Sequence, residues 1–144
     1  MSNTLPSTQH GTTVAIGDIG VMLRGPSGSG KSDLALRLID AGAKLVADDR
    51  TALSVADSRL IASPPEPLKG KLEVRGLGIV EVAYQDDVAL GLVVDLTPLD
   101  EIERMPEPAS FDHGGVSVPR IQLCAFEASV QAKLRLALSK LRDR

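Results

Sequence analysis

Gly25, Pro26, Ser27, Gly28, Ser29, Gly30, Lys31 and Ser32 fill every fixed position of the phosphate-binding pattern G-x-x-x-x-G-K-[ST]. Each fixed position answers to one chemical need. The glycines let successive backbone N–H groups approach phosphate oxygens, which side chains at those positions would obstruct. Lys31 brings a mobile ammonium to the outer phosphates, and the Ser32 hydroxyl is a hard oxygen ligand for Mg²⁺. The flanks agree with this reading. Residues 20–24 form a short apolar run that predicts an entering strand, and residues 32–41 are rich in helix formers and stop at Gly42. A loop between a strand end and a helix N-terminus suits an anion. The competing reading is a Gly/Ser turn that matches by chance, and the two correct flanks count against it.

Phosphoryl transfer also needs a carboxylate that holds the metal or takes a hydroxyl proton. Two apolar runs end in one. Residues 45–47 lead into Asp48-Asp49, and residues 92–94 lead into Asp95. Adjacent aspartates suit acid/base work, although the same pair could simply be a solvated strand end. Asp95 has the shape of an ordinary second metal motif. In the segment Leu72-Glu73-Val74-Arg75-Gly76-Leu77-Gly78, Glu73 and Arg75 could alternatively be a strand-edge ion pair of little worth. The two glycines there could be a bulge.

Bulk composition narrows the classes. At 144 residues the chain is sized for a single domain, 1–144. A net charge of −3 and only 2% aromatics give neither a basic footprint nor a stacking platform for nucleic acid, so none is expected. No run approaches the roughly 20 apolar residues that span a bilayer, and the polar N-terminus is not a secretory signal. A lone cysteine, Cys124, excludes an internal disulfide and suits a reducing cytoplasm, where it is expected as a small buried apolar residue.

The elements that must position these residues follow from patterning. Residues 12–16 and 20–24 flank Gly17-Asp18 and predict a hairpin; 51–55 and 59–62 predict another around Asp57-Ser58. A helix is expected over about 31–41, burying Leu34, Leu38 and Ala41. Short strands are expected at 44–48, 72–74, 79–83 and 116–123. The apolar run 88–94 predicts a central strand. Residues 125–142 predict a second helix, with Val130, Leu134, Leu138 and Leu141 as its buried stripe. Residues 1–9 are expected to be loose, 63–67 a rigid proline connector, and 100–115 a mobile loop.

Taken in order, His10-Gly11, the glycine loop, Leu45-Val-Ala-Asp48-Asp49 and Glu73-Val-Arg75-Gly76-Leu77-Gly78-Ile79 resemble the catalytic domain of HPr kinase/phosphorylase across about residues 9–123. The last segment is similar to that family's signature E-[IV]-R-G-[LV]-G-[IL]. The resemblance implies an α/β fold: a P-loop-containing mixed β-sheet with flanking helices, of the HPr kinase/phosphoenolpyruvate carboxykinase type. It implies ATP-dependent phosphorylation of a serine on an HPr-type phosphocarrier protein, with Mg²⁺. It also implies the reverse attack of inorganic phosphate on phosphoserine, giving pyrophosphate. By the same resemblance Lys31 holds phosphates, Ser32 and Glu73 serve the metal, and Asp48-Asp49 contains the acid/base residue. His10 matches a histidine of the site, and Arg120 stands near the place of a late active-site arginine, although its Pro119 and Ile121 neighbours depart from the family's pattern. Long members carry a further N-terminal domain and form hexamers, so the chain is expected to be a short form and a homo-oligomer. Residues 104–118 are compressed relative to the long form. Two rivals remain open at this point: a small-molecule kinase or ATPase using Asp95, and a nucleotide-sensing binding module.

Overall fold

A computed structural model describes residues 7–65 and 69–142. The elements run β1 (Ser7–His10), β2 (Thr12–Ile16), β3 (Ile19–Arg24), α1 (Lys31–Asp40), β4 (Lys44–Ala47), β5 (Arg50–Ala56), β6 (Arg59–Ser63), β7 (Lys71–Val74), β8 (Gly78–Glu81), β9 (Val88–Leu96), a 3₁₀ turn (Leu99–Glu101), β10 (Ala109–His113), β11 (Val116–Leu123) and α2 (Val130–Arg142). Nine strands form one mixed sheet in the order β1-β5-β6-β9-β3-β2-β4, with β11 also on β9 and β10 on β11. β7 and β8 make a separate hairpin.

The expected central strand is central. β9 runs parallel to β3 on one edge; on its other edge its start pairs with Ile61 and Ala62 of β6 and its end pairs with the end of β11. One face of the sheet carries α1, α2 and β7 through Val21, Leu34, Leu72, Leu92, Leu134 and their neighbours. The other face closes on itself, with Met22, Val46, Leu53, Leu60, Val93 and Phe111 among the side chains inside the curl. Leu34, Leu72 and Leu134 are essentially inaccessible, and each such burial is worth about 1.5–3 kcal/mol.

Local rules explain the boundaries. Asp57 and Ser58 have φ of 53° and 63°, the backbone of a two-residue turn whose twist matches the paired strands. At the end of α1, Ala43 N–H bonds Leu38 O at 3.0 Å and Gly42 N–H bonds Ile39 O at 3.0 Å, a Schellman closure around Gly42. That closure corrects the expected stripe. Ala41 is the exposed cap, while Leu34, Ala35 and Leu38 are buried and Ala43 packs beneath them.

Four other expectations need adjusting. The polar start forms β1 from Ser7 onward, because β5 offers it an edge to pair with; residues 1–6 lie outside the described residues. The segment 100–115, read as loop, holds part of the 3₁₀ turn and β10, which pairs with β11 across Gly114-Gly115. β8 ends at Glu81, not 83, and α2 starts at Val130, not 125. Of the proline connector, residues 66–67 fall outside the described residues.

Two β-bulges set which way key side chains face. Between Gly20/Val21 of β3 and Leu90/Leu92 of β9 the register shifts, leaving Gly91 extra. Before it Leu90 faces the curl, and after it Leu92 and Val94 face the helices. A Cβ on Gly91 would sit 2.8 Å from Ile19 Cγ2, which is why glycine stands there. The second shift is in β4, where Val14 pairs with Leu45 but Thr13 with Ala47, so Val46 is the extra residue. An unbroken alternation from Leu45 would turn Asp48 into the curl. The bulge turns it to the helix side instead, as bulges beside functional sites commonly do.

Candidate active site

β3 and β4 are parallel to one another with β2 between them, so Gly25 and Asp48 emerge at the same end of the sheet. Two strand spacings separate them, or roughly 10 Å. The glycine loop connects β3 to α1, whose first intrahelical bond is Leu34 N–H to Gly30 O at 2.9 Å. No side chain caps this helix, so the amides of Lys31, Ser32 and Asp33 lack intrahelical acceptors. Gly30 has φ 98°, and a Cβ there would meet Ala125 Cβ at 2.6 Å. The Lys31 ammonium folds back onto the carbonyl oxygens of Gly25 and Pro26. Ser29 Oγ is buried without a hydrogen-bond partner, 2.5 Å from where a Cβ of Gly25 would be. A pocket of free N–H donors, an ammonium at its mouth and no room for a side chain at Gly25 or Gly30 fits a phosphate chain.

Asp48 is the anchored carboxylate. Thr12 Oγ1 donates to its Oδ1 at 3.2 Å, and the Glu73 backbone N–H donates to its Oδ2 at 3.0 Å. The second bond draws in the β7–β8 hairpin, which is held on the α1 side by Leu72. The carboxylate therefore lies on the same side of the sheet as the helix that begins with Lys31. Asp49 parts from it. With φ 66°, Asp49 sits in a tight reversal closed by Arg50 N–H to Asp48 O at 2.7 Å, and it is exposed. Its own N–H donates to Thr12 Oγ1 at 3.0 Å, and its carbonyl accepts from Gly11 N–H at 2.8 Å.

Threonines fix this corner, and sequence reasoning missed them. Thr12, Thr13 and Thr51 are fully buried. Thr51 Oγ1 donates its only hydrogen to Gly11 O at 3.0 Å, so in the 2.8 Å contact between the Thr13 and Thr51 hydroxyls Thr13 is the donor. The available signal was a Thr-Thr pair directly after His10-Gly11, an unusual choice for an interior strand. His10, exposed at the end of β1, pairs in register with Arg50 and so stands next to the Asp49 turn. Glu73, Arg75, Gly76, Leu77 and Gly78 are exposed or partly so along the hairpin, and Leu77 is 75% exposed at its tip.

Arg120 and Asp95 belong to a different cluster. Arg24 Nε and Nη2 grip Asp95 at 2.8 and 3.2 Å, and Arg120 Nη1 reaches the same carboxylate at 3.5 Å. By strand alternation all three face the curl, away from α1, and Arg24 also lies 5.0 Å over the Phe111 ring. Arg120 is thus not gathered with Lys31, Asp48 and Glu73. Arg24 was overlooked, though a charged residue closing an apolar strand opposite another ending in Asp95 was a visible hint.

The arrangement is that of an α/β domain with a glycine-rich loop at a strand-to-helix junction and an anchored carboxylate beside it. The model of the HPr Serine kinase C-terminal domain matches residues 3–130, and the chain belongs to that family. It is 47% identical over 115 residues to the HPr kinase/phosphorylase of Clostridium tetani (strain Massachusetts / E88), covering 77% of this chain and 37% of the relative. It is 34% identical over 126 residues to that of Limosilactobacillus reuteri (strain DSM 20016), covering 79% and 39%. The chain therefore spans about a third of the length of the curated relatives it matches. The solved structure of the Hpr(Ser) kinase/phosphatase from Coxiella burnetii superposes with a TM-score of 0.81 over 95% of both chains at 24% identity, which establishes the mixed α/β fold. Among the described residues no helix is long and apolar enough to cross a membrane.

Proposed function

We propose that this chain is the catalytic domain of a protein-serine kinase that transfers the γ-phosphoryl group of ATP to a serine of an HPr-type phosphocarrier protein in the cytoplasm. One observation carries the reading: Asp48 is held at both oxygens on the α1 side of the sheet, at the same strand ends as the glycine loop. The family membership and the names of the relatives support the substrate. The rival that uses Asp95 as a metal carboxylate is disfavoured, since Arg24 and Arg120 occupy that side chain.

In this reading the loop from Gly25 to Ser32 cradles the phosphates through its free backbone N–H groups, and Lys31 leaves its carbonyl partners for the β- and γ-oxygens. That role is closed to Pro26, which has no N–H, and to Ser29, whose N–H bonds Pro26 O. Ser32 Oγ and Glu73 would hold Mg²⁺, which when bound offsets charge on the phosphate oxygens. Asp48, already oriented by Thr12 and the Glu73 amide, accepts the proton of the incoming serine hydroxyl. Asp49 and His10 form the rim of the acceptor side. Run backwards, inorganic phosphate attacks phosphoserine, Asp48 returns the proton to the departing serine oxygen, and pyrophosphate is released. Arg120 takes no direct part and helps hold Asp95.

Incubation of the protein with Mg·ATP and purified HPr-type protein, followed by mass analysis of the acceptor, tests the reading. A single added phosphate on a serine supports it. ATP binding without any transfer would instead favour a nucleotide-sensing module.

A further inference from the structure

We infer that Phe126 is a stacking platform for the nucleobase, which fixes the direction in which the nucleotide lies across the glycine loop. This deepens the proposed function and rests on it.

The ring is 68% exposed, yet it stands against the loop. A Cβ on Gly30 would lie 3.2 and 3.4 Å from Phe126 Cζ and Cε1. Of the chain's three aromatics, Phe111 is buried in the curl and Tyr84 covers Gly70, so Phe126 is the aromatic at the loop. Its backbone is rigidly placed. Ala125, only 1% exposed, packs on the core and its carbonyl accepts from the Arg37 guanidinium of α1. Glu127 N–H bonds Cys124 O at 3.2 Å and the Glu127 carboxylate pairs with Lys133 of α2 at 2.7 Å. Both helices thus fix a segment whose one large side chain faces solvent.

Strand order supplies the direction. Asp48 ends β4, two strands from β3 through β2; Phe126 follows β11, two strands from β3 through β9. The two flank the glycine loop on opposite sides. A triphosphate in the loop with its reacting end toward Asp48 therefore directs its nucleoside toward Phe126. Stacking uses a π-face common to all bases, so the platform orients a nucleotide with little choice among bases.

The chain contains no tryptophan, which makes Phe126→Trp a single-tryptophan reporter. Affinities for ATP and for inorganic tripolyphosphate are measured by calorimetry on the wild-type protein, Phe126→Ala and Phe126→Trp. Phe126→Ala is expected to weaken ATP by between about fivefold and about a hundredfold while leaving tripolyphosphate within about twofold. Phe126→Trp is expected to retain ATP, with fluorescence quenched by ATP and not by tripolyphosphate. Equal losses for both ligands in Phe126→Ala, no loss for either, or an indole indifferent to ATP would overturn the inference. So would a change in assembly mass with ATP affinity intact, which would assign the ring to a contact between copies. A wild-type protein that binds neither ligand would overturn the phosphate-loop reading itself, a separate and distinguishable failure.

Discussion

The backbone N–H of Glu73 donates to Asp48 Oδ2 at 3.0 Å across 25 residues of chain. That bond ties a strand end of the main sheet to a hairpin outside it, and it brings two residues of different expected roles within one interaction.

Asp48→Asn should lower serine phosphorylation by about 10²–10⁴, because the amide cannot accept the hydroxyl proton. Asp49→Asn should cost far less, since Asp49 points to solvent and asparagine tolerates its positive φ. Single-turnover rates with ATP affinity measured alongside decide this; equal losses in the two variants would refute the assignment.

Lys31→Ala should reduce transfer by about 10²–10³ through lost charge stabilisation. The side chain is partly exposed and contacts only loop carbonyls, so stability should change by no more than about 0.5 kcal/mol. Urea midpoints and phosphate incorporation separate the two effects.

Gly91→Ala should destabilise the fold by about 1–3 kcal/mol, because the new methyl meets Ile19 Cγ2 at 2.8 Å. The readout is equilibrium unfolding. A neutral result would mean the bulge has room that the packing around it denies.

Leu72→Ala should cost about 2–5 kcal/mol, the usual penalty for a large cavity at a fully buried leucine. Because Leu72 fastens the hairpin to α1, the Glu73 amide should also lose hydrogen-exchange protection beyond the global loss. Protection that fell only with global stability would show that the hairpin is held by something else.

Asp95→Asn should keep transfer within about tenfold of wild type while lowering stability by about 1–3 kcal/mol, as two arginines lose their shared partner. Loss of activity with unchanged stability would revive Asp95 as a metal carboxylate.

The linear arrangement of this chain exposed much of the design. The octapeptide at 25–32, the turns at Gly17-Asp18 and Asp57-Ser58, and the apolar run that became β9 are local signals, and local signals survive in a one-dimensional reading. What did not survive depends on distant pairing. β1 and β10 exist because β5 and β11 supply edges for them, and neither segment has a strand pattern strong enough alone. The orientation of Asp48 depends on one inserted residue at Val46, which is invisible until the partner strand β2 is in place. Arg120 was grouped with the site by resemblance, and only the alternation along β11 shows that it faces the opposite side with Asp95. Thr12 is a similar case, since its value lies in a contact 36 residues away.

The parallel pairing of β3 with β9 aligns residues 20–24 with 90–95, and it has a kinetic corollary. The base of the glycine loop has β2 beside it at once through a local hairpin, but acquires its second neighbour, β9, only after a closure some 70 residues long, the kind of non-local step that slows a chain to the millisecond-to-second range. During synthesis, competence to hold a phosphate should arrive late and abruptly, once β9 has left the ribosome and can slot in beside β3.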